Sequence, residues 1–190
     1  MRIGVLALQG DYEAHGRRLH DLGASVVWVR LPQHLQRIAG LVIPGGESTT
    51  LLHFLQREHL FDALRAFSQE KPCFGTCAGA ILLASEVENP SQPCLGALDI
   101  SVRRNAWGRQ IDSHIHAIPT VLDAEPMEAV YIRAPRIIRT GASVEILARD
   151  QDDPVWVRQG RHMATTFHPE LSDDARVHAE FLRGMQTDNG

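Results

Sequence analysis

The sequence predicts an α/β fold in which helices cover both faces of a mainly parallel β-sheet. In the first half of the chain, short apolar runs rich in β-branched residues alternate with segments of helical spacing. This alternation is typical of βαβ units. In the second half, from Leu98 to Thr166, short alternating segments predict further strands and little helix.

The elements of the first half follow from local composition and from helix start and stop residues. The first strand is predicted over 2–8, because this run is almost wholly apolar and ends before Gln9. A helix follows over 12–22, with Asp11 as its N-cap and Gly23 as its stop. Strands are then predicted over 25–30, 40–43 and 72–76, and helices over 48–67 (with an interruption near His59) and 78–84.

The second half is predicted to form short strands and one final helix. The strands are expected over 99–102, 110–118, 129–132, 144–148, 155–158 and 162–166. The helix is expected over 172–185, where Asp173 and Asp174 in the first turn favour the positive end of the helix dipole. The chain has no internal repeat and no linker, which predicts one domain over 1–190 with a frayed tail over 186–190.

Composition excludes several classes of protein. Hydrophobic residues make up 44% and charged residues 22% of the 190 residues, which is ordinary for a globular domain. The net charge of −4 gives no basic field for a nucleic acid or a membrane surface. Three cysteines are too few for a disulfide framework, and no apolar run approaches the roughly 18 residues of a membrane span. We therefore expect a cytoplasmic protein with neither a nucleic acid nor a membrane as partner.

The strongest local motif is Gly-Thr-Cys-Ala-Gly at residues 75–79, between a predicted strand and a predicted helix. Small residues two positions before and after Cys77 permit the sharp turn that exposes a nucleophile. A helix N-terminus also stabilises a thiolate, which is the reactive form of cysteine. Taken alone, the motif fits a nucleophile and a buried structural cysteine equally well.

A second motif is His168-Pro169-Glu170. Proline favours extended backbone in the residue before it, so His168 and Glu170 can project to the same side. An imidazole and the carboxylate that orients it need this placement. The alternative interpretation is an exposed loop before the last helix.

A third motif, at residues 44–50, reads Pro-Gly-Gly-Glu-Ser-Thr-Thr and also joins a strand to a helix. Its glycines allow backbone N–H groups to approach an oxyanion. The alternative is an ordinary loop in which Ser48 or Thr49 caps the helix. All three motifs lie where open α/β sheets bind ligands, and together they fit a covalent acyl-transfer enzyme.

The cysteine motif and His168-Pro169-Glu170 together resemble the triad (class I) glutamine amidotransferases. Within that class, four stretches resemble the glutaminase subunits of pyridoxal 5′-phosphate synthases: residues 3–10, 44–50, 104–110 and 132–135. The resemblance extends over about residues 2–185. It implies a three-layer α/β sandwich and the hydrolysis of L-glutamine to L-glutamate and ammonia through a glutamyl thioester.

The resemblance also implies roles for individual residues. Cys77 is the expected nucleophile, His168 the general base and acid, and Glu170 its partner. The expected glutamine-binding residues are Gly46, Glu47, Ser48, Arg104, Ile132 and Arg133. The expected oxyanion hole consists of the backbone of Gly45 and Gly46 and the N–H of Ala78. Gln9, at the end of the first strand, is the expected relay from a partner surface.

The resemblance further implies a partner and no cofactor. Ammonia would pass to a separate, barrel-shaped synthase subunit in a large hetero-oligomer, and pyridoxal phosphate would be the product of that complex. Two alternatives stay open: another cysteine hydrolase or peptidase on a related fold, and a non-catalytic assembly subunit. The intact set of Cys77, His168 and Glu170 argues against the second.

One stretch departs from this family. Where the family has Phe-Glu, the chain has His114-Ile115-His116. A His-x-His pattern on a strand places both imidazoles on one face, as in some metal sites. We identify no matching Cys, Asp or third His for such a site, so we interpret the stretch as a half-exposed strand and expect no metal.

Overall fold

The computed structural model describes residues 1–106 and 114–187. The strands are β1 (Arg2–Leu6), β2 (Ser25–Val29), β3 (Gly40–Ile43), β4 (Cys73–Thr76), β5 (Ala84–Glu88), β6 (Leu98–Arg103), β7 (His114–Thr120), β8 (Asp123–Tyr131), β9 (Arg136–Thr140), β10 (Glu145–Asp150), β11 (Asp153–Gln159) and β12 (His162–Thr165). The helices are α1 (Tyr12–Asp21), α2 (Ser48–Arg57), α3 (Leu60–Glu70), α4 (Ala78–Leu83) and α5 (Arg176–Thr187). Two 3₁₀ turns span Pro32–Arg37 and Pro169–Leu171.

Within the described residues, the main sheet has nine strands in the order β2-β1-β3-β4-β12-β11-β10-β7-β8. The five strands from β2 to β12 run parallel, and each neighbouring pair from β12 to β8 is antiparallel. A second sheet has the order β5-β6-β9. The α/β class with a mainly parallel central sheet is therefore confirmed, and the antiparallel pairs lie at the β8 end of the main sheet.

Apolar clusters on the two faces of the main sheet make the three layers. On one face, α2, α3 and α4 bury side chains such as Leu55 and Leu64. On the other, α1 and α5 contribute Leu19 and Phe181. Val5 joins the α1 side and the next residue, Leu6, joins the opposite cluster, because successive side chains of a strand point to opposite faces. None of the described helices is long and apolar enough to cross a membrane.

Several predicted boundaries are confirmed or corrected. The interruption near His59 is confirmed, since this residue has a φ of 56° and separates α2 from α3. The first strand ends at Leu6 rather than residue 8, and the last helix begins at Arg176 rather than 172. The segment predicted over 110–118 is a strand from His114 onward, and residues 110–113 lie outside the described part.

The second sheet contains the two strands that the sequence analysis missed, β5 and β9. In β5 only Ala84 and Val87 are buried, and in β9 only Ile137 is buried. The sequences of these strands, Ala-Ser-Glu-Val-Glu and Arg-Ile-Ile-Arg-Thr, contain too few apolar residues to form the run by which the other strands were recognised.

The order of strands brings the candidate residues to one edge of the main sheet. The strands β1, β3, β4 and β12 are neighbours and parallel, so their carboxyl ends lie side by side. The segments that follow them contain Gln9, Gly45, Cys77 and His168 respectively. Ligands bind at this edge in open α/β sheets.

Candidate active site

Cys77 lies at the sharp turn between β4 and α4. Its φ of 48° and ψ of −103° are unusual for a residue with a side chain, and its N–H donates to the Thr165 carbonyl oxygen at 2.9 Å. The turn requires glycine on both sides. A Cβ atom on Gly75 would lie 2.4 Å from the Gly79 carbonyl oxygen, and one on Gly79 would lie 2.0 Å from the Ile43 carbonyl oxygen. These contacts explain the Gly-Thr-Cys-Ala-Gly motif in physical terms.

His168 and Glu170 form a buried imidazole–carboxylate pair. His168 Nδ1 lies 2.8 Å from Glu170 Oε1, and the backbone N–H of His168 donates to the Val130 carbonyl oxygen at 2.8 Å. Pro169 begins a 3₁₀ turn that contains Glu170. The alternative of an exposed loop is wrong, because both side chains are buried.

The pKa of His168 depends on both Cys77 and Glu170. Burial by itself lowers the pKa of an imidazole, but hydrogen bonds with Cys77 and Glu170, together with their charges, outweigh burial and raise the pKa of His168 to about 10. A Cβ atom on Gly45 would lie 2.4 Å from His168 Cε1 and 3.2 Å from Cys77 Cβ, so the same glycine faces both side chains. The arrangement favours an imidazolium beside a negatively charged group.

Two further histidines extend the site behind Glu170, and the sequence analysis missed both. His15 Nε2 lies 3.3 Å from Glu170 Oε2 and 3.3 Å from Thr76 Oγ1, while His15 Nδ1 lies 2.8 Å from His178 Nε2. Both histidines are fully buried. They belong to α1 and α5, so no local motif connects them with Glu170.

The charge of Glu170 depends on these contacts. Burial raises the pKa of a carboxyl group, but the charge and hydrogen bond of His15, followed by those of His168, hold the pKa of Glu170 well below its usual range. Burial also lowers the pKa of His178 to about 3. The carboxylate of Glu170 is therefore ionised over the whole physiological range of pH.

A cavity of about 180 Å³ opens beside Cys77 and His168. All six residues expected to bind glutamine line it: Gly46, Glu47, Ser48, Arg104, Ile132 and Arg133. Asn105 and Pro135 also line it, and the Ile132 carbonyl oxygen lies 4.0 Å from Cys77 Sγ. The residues of the three motifs thus meet around one space.

Opposite charges face each other in this cavity. Arg104 Nη2 lies 3.5 Å from Glu47 Oε1 and donates to Thr49 Oγ1 at 2.9 Å. The Glu47 carboxylate accepts from the N–H groups of Thr49 at 3.0 Å and Thr50 at 2.7 Å. Although partial burial acts in the opposite direction, these hydrogen bonds lower the pKa of Glu47 to about 2. Glu47, rather than Ser48 or Thr49, is therefore the N-cap of α2.

Gln9 connects the end of β1 to the glycine loop. Its Nε2 donates to the Gly45 carbonyl oxygen at 3.5 Å, and its Oε1 accepts from the Glu47 N–H at 3.1 Å. Gly46 has a φ of 132°, and a Cβ atom there would lie 2.5 Å from Gln9 Nε2. Ala78, which follows Cys77, is the first residue of α4, so its N–H has no acceptor within the helix.

The site thus combines a cysteine at a strand–helix turn, an oriented imidazole and a cavity with both signs of charge. This is the arrangement that a thiol-dependent acyl-transfer enzyme requires. The chain matches the SNO glutamine amidotransferase family over residues 5–187. It belongs to that family.

Individual relatives agree with this assignment. A pyridoxal 5′-phosphate synthase subunit PdxT from Koribacter versatilis is 57% identical over 189 residues, which cover 100% of this chain and 98% of the relative. The PdxT subunit from Thermotoga neapolitana is 48% identical over 185 residues, which cover 96% of this chain and 98% of the relative. A crystal structure of a glutamine amidotransferase superimposes with a TM-score of 0.90 at 44% identity, over 97% of this chain and 98% of that chain.

Proposed function

We propose that this chain hydrolyses L-glutamine to L-glutamate and ammonia, and that the ammonia is used to make pyridoxal 5′-phosphate. Family membership and the names of the relatives support the reaction and its purpose. The observation that carries the assignment of residues is that Cys77, His168 and the Arg104–Glu47 pair border one cavity. Arg104 and Glu47 carry the charges that complement the carboxylate and ammonium groups of a free amino acid.

The first half of the reaction forms a thioester. The Cys77 thiolate attacks the side-chain carboxamide carbon of glutamine, and the carbonyl oxygen becomes an oxyanion that accepts from the Gly46 and Ala78 N–H groups. The C–N bond then breaks as His168 donates its proton to the leaving nitrogen, which departs as ammonia. Glu170 holds the imidazole in the orientation that this transfer requires.

The second half regenerates the enzyme. His168, now neutral, takes a proton from a water molecule that attacks the thioester carbonyl carbon. The C–S bond breaks, glutamate leaves, and Cys77 returns to the thiolate with an imidazolium beside it. His168 donates the proton that the leaving nitrogen takes and accepts one proton from the attacking water, whose second proton leaves to solvent when the new carboxyl group ionises. The proposed steps use only residues of this chain.

Ammonia release from glutamine by Cys77→Ala tests the assignment. We expect no activity from this variant, while synthesis of pyridoxal phosphate supplied with ammonium salts continues, because only the nucleophile is removed. Cys94→Ala is the matched control, since Cys94 does not line the cavity. If Cys77→Ala keeps more than a few per cent of the activity, Cys77 is not the nucleophile. Cleavage of a small peptide in place of glutamine would favour a peptidase.

We further propose that the ammonia passes to a barrel-shaped synthase subunit within a large cytoplasmic hetero-oligomer. The word subunit in the names of the relatives supports such a partner. The contacts of Gln9 with Gly45 and Glu47 offer a route for control. Because the N–H and carbonyl of a trans peptide point in opposite directions, the Gly46 N–H points away from Gln9 while Gln9 holds the Gly45 carbonyl. A partner that moves Gln9 would release the Gly45 carbonyl. The Gly45–Gly46 peptide could then rotate and change the direction of the Gly46 N–H in the oxyanion hole.

Steady-state kinetics with and without the synthase test this control. We expect the isolated chain to hydrolyse glutamine slowly, and the synthase to raise kcat more than it lowers KM, because an oxyanion contact acts mainly in the transition state. Full activity of the isolated chain, or activation expressed only in KM, contradicts the role of Gln9 and leaves the assignment of Cys77 intact.

A further inference from the structure

A second cluster of ligand-type side chains lies outside the active site, at the β8 end of the main sheet. His114 and His116 extend from the same face of β7, and Asp150 ends the neighbouring strand β10. One ligand atom from each of the three side chains lies within 4.8 Å of the others. His116 Nδ1 and Asp150 Oδ2 are 2.8 Å apart. The third ligand that the sequence did not reveal is thus Asp150, which follows His116 by 34 residues.

The three side chains border a cavity of about 100 Å³. Tyr131 also lines it, with its ring stacked on that of His114 at a centroid distance of 4.8 Å. The Tyr131 side chain is buried, and burial, followed by the charge and the hydrogen bond of Asp150, raises the pKa of its hydroxyl. The Tyr131 hydroxyl and the Asp150 carboxylate thus place two polar groups at this cavity.

We propose that His114, His116 and Asp150 bind a divalent late first-row transition metal ion, with Zn²⁺ as the reference ion. Imidazole nitrogens favour such ions over Mg²⁺ and Ca²⁺, which take oxygen ligands. Two histidines and one carboxylate leave one position of a tetrahedral ion open to water, as in other three-ligand zinc sites. The Tyr131 hydroxyl is the partner for that water.

The geometry needs only side-chain adjustment. Zn²⁺ with ligands at about 2.0–2.1 Å keeps the ligand atoms of a tetrahedron about 3.3 Å apart. The 2.8 Å contact between His116 and Asp150 would widen slightly, and the larger separations would close by rotation of exposed or half-exposed side chains. When the metal replaces the hydrogen bond, a proton on His116 Nδ1 moves to Nε2 as the ring changes tautomer.

The metal site is adjacent to the active site but separate from it. The two cavities share Pro135 in their linings. Arg136, which also lines the metal cavity, is paired with Asp153 at 2.7 Å, so its charge is offset where the metal would bind. Because Cys77 and His168 are themselves possible zinc ligands, a test must exclude them.

Calorimetric titration of the full chain with Zn²⁺, in the Cys77→Ala background and after removal of metals by a chelator, tests the proposal. We expect one ion per chain. We expect His116→Asn and Asp150→Asn each to weaken binding by about tenfold or more, since each removes a ligand. Asp150→Asn removes the negative charge but keeps an oxygen that accepts hydrogen bonds. Weaker binding by this variant would therefore reflect loss of the charged ligand and not a change of the local structure.

His20→Asn is the matched control, because His20 is an exposed histidine 3.8 Å from a carboxylate, that of Asp21. It should leave the Zn²⁺ affinity unchanged. Co²⁺ bound in place of Zn²⁺ should give the intense visible absorption of a four-coordinate ion, and His116→Asn should abolish that absorption. No binding in the Cys77→Ala background, or binding that His116→Asn and Asp150→Asn leave unchanged, overturns the proposal.

Discussion

His15 Nε2 lies 3.3 Å from Glu170 Oε2, on the side of the carboxylate opposite His168. Each oxygen of Glu170 therefore faces a different imidazole. Since an isolated buried carboxylate is costly, the second histidine helps to keep Glu170 ionised where it orients His168. We assign His15 as a positioning residue for the reaction.

His15→Leu is expected to lower kcat by about tenfold while KM changes little, because His15 supports Glu170 and does not line the glutamine cavity. Its loss also raises the pKa of Glu170, so the acidic limb of the kcat profile should move to higher pH. His15→Gln keeps a donor and should restore part of both changes. A pH profile that His15→Leu does not move would leave His15 with a role in packing alone.

Glu170→Gln is expected to be milder than His168→Asn. In the proposed mechanism, His168→Asn removes the group that protonates the leaving nitrogen and deprotonates the attacking water, so its activity should be about as low as that of Cys77→Ala. Glu170→Gln weakens the orientation of the imidazole but keeps a proton carrier. Ammonia release under the same conditions compares the two variants. The reverse order of severity would contradict the roles given to both residues.

Gly45→Ala is expected to reduce kcat by about 100-fold, because the new Cβ would lie 2.4 Å from His168 Cε1 and displace the imidazole. Gly184→Ala, in α5, is the matched control, since nothing lies within 4 Å of a Cβ there. That change should leave kcat unaltered and raise the free energy of unfolding by at most about 1 kcal/mol. Wild-type kcat in Gly45→Ala would mean that the loop moves aside without cost.

Stability is expected to fall on acidification below pH 6.5. Burial lowers the pKa of His178 to about 3 and, with the charge of Arg161, that of His162 to about 4, from an ordinary value of 6.5. The unfolded chain therefore binds more protons than the folded chain between these values. Each histidine lowers the free energy of unfolding by on the order of 1 kcal/mol for each unit that the pH falls through this window.

Urea titrations over this pH range measure the effect. His162→Gln should reduce the slope of unfolding free energy against pH, because the replacement does not titrate. His20→Gln, at an exposed position, should leave the slope unchanged. An equal slope in wild type and His162→Gln would show that His162 is protonated alike in both states.

The parallel half of the fold was predictable because its strands form short apolar runs, and the central strands β3 and β4 are buried on both faces. The motifs around Cys77 and His168 were predictable for a related reason. Each is a short local pattern, and parallel strands bring their carboxyl ends together without further information.

The contacts missed from the sequence join residues far apart along the chain. His15 and His178 are 163 residues apart and touch only because α1 and α5 cover the same face of the sheet. Asp150 meets His116 only through the pairing of β10 with β7. Such contacts result from the packing of helices and the pairing of strands. The periodicity of apolar residues along the sequence does not predict them.

The position of β12 determines when the candidate active site can assemble during synthesis of the chain. This strand follows the other described strands in the sequence, and it lies in the interior of the main sheet between β4 and β11. A nascent chain on the ribosome therefore contains Cys77 long before His168 exists to share a proton with it. An amino-terminal fragment that stops short of β12 lacks His168, so under the proposed mechanism it cannot release ammonia from glutamine.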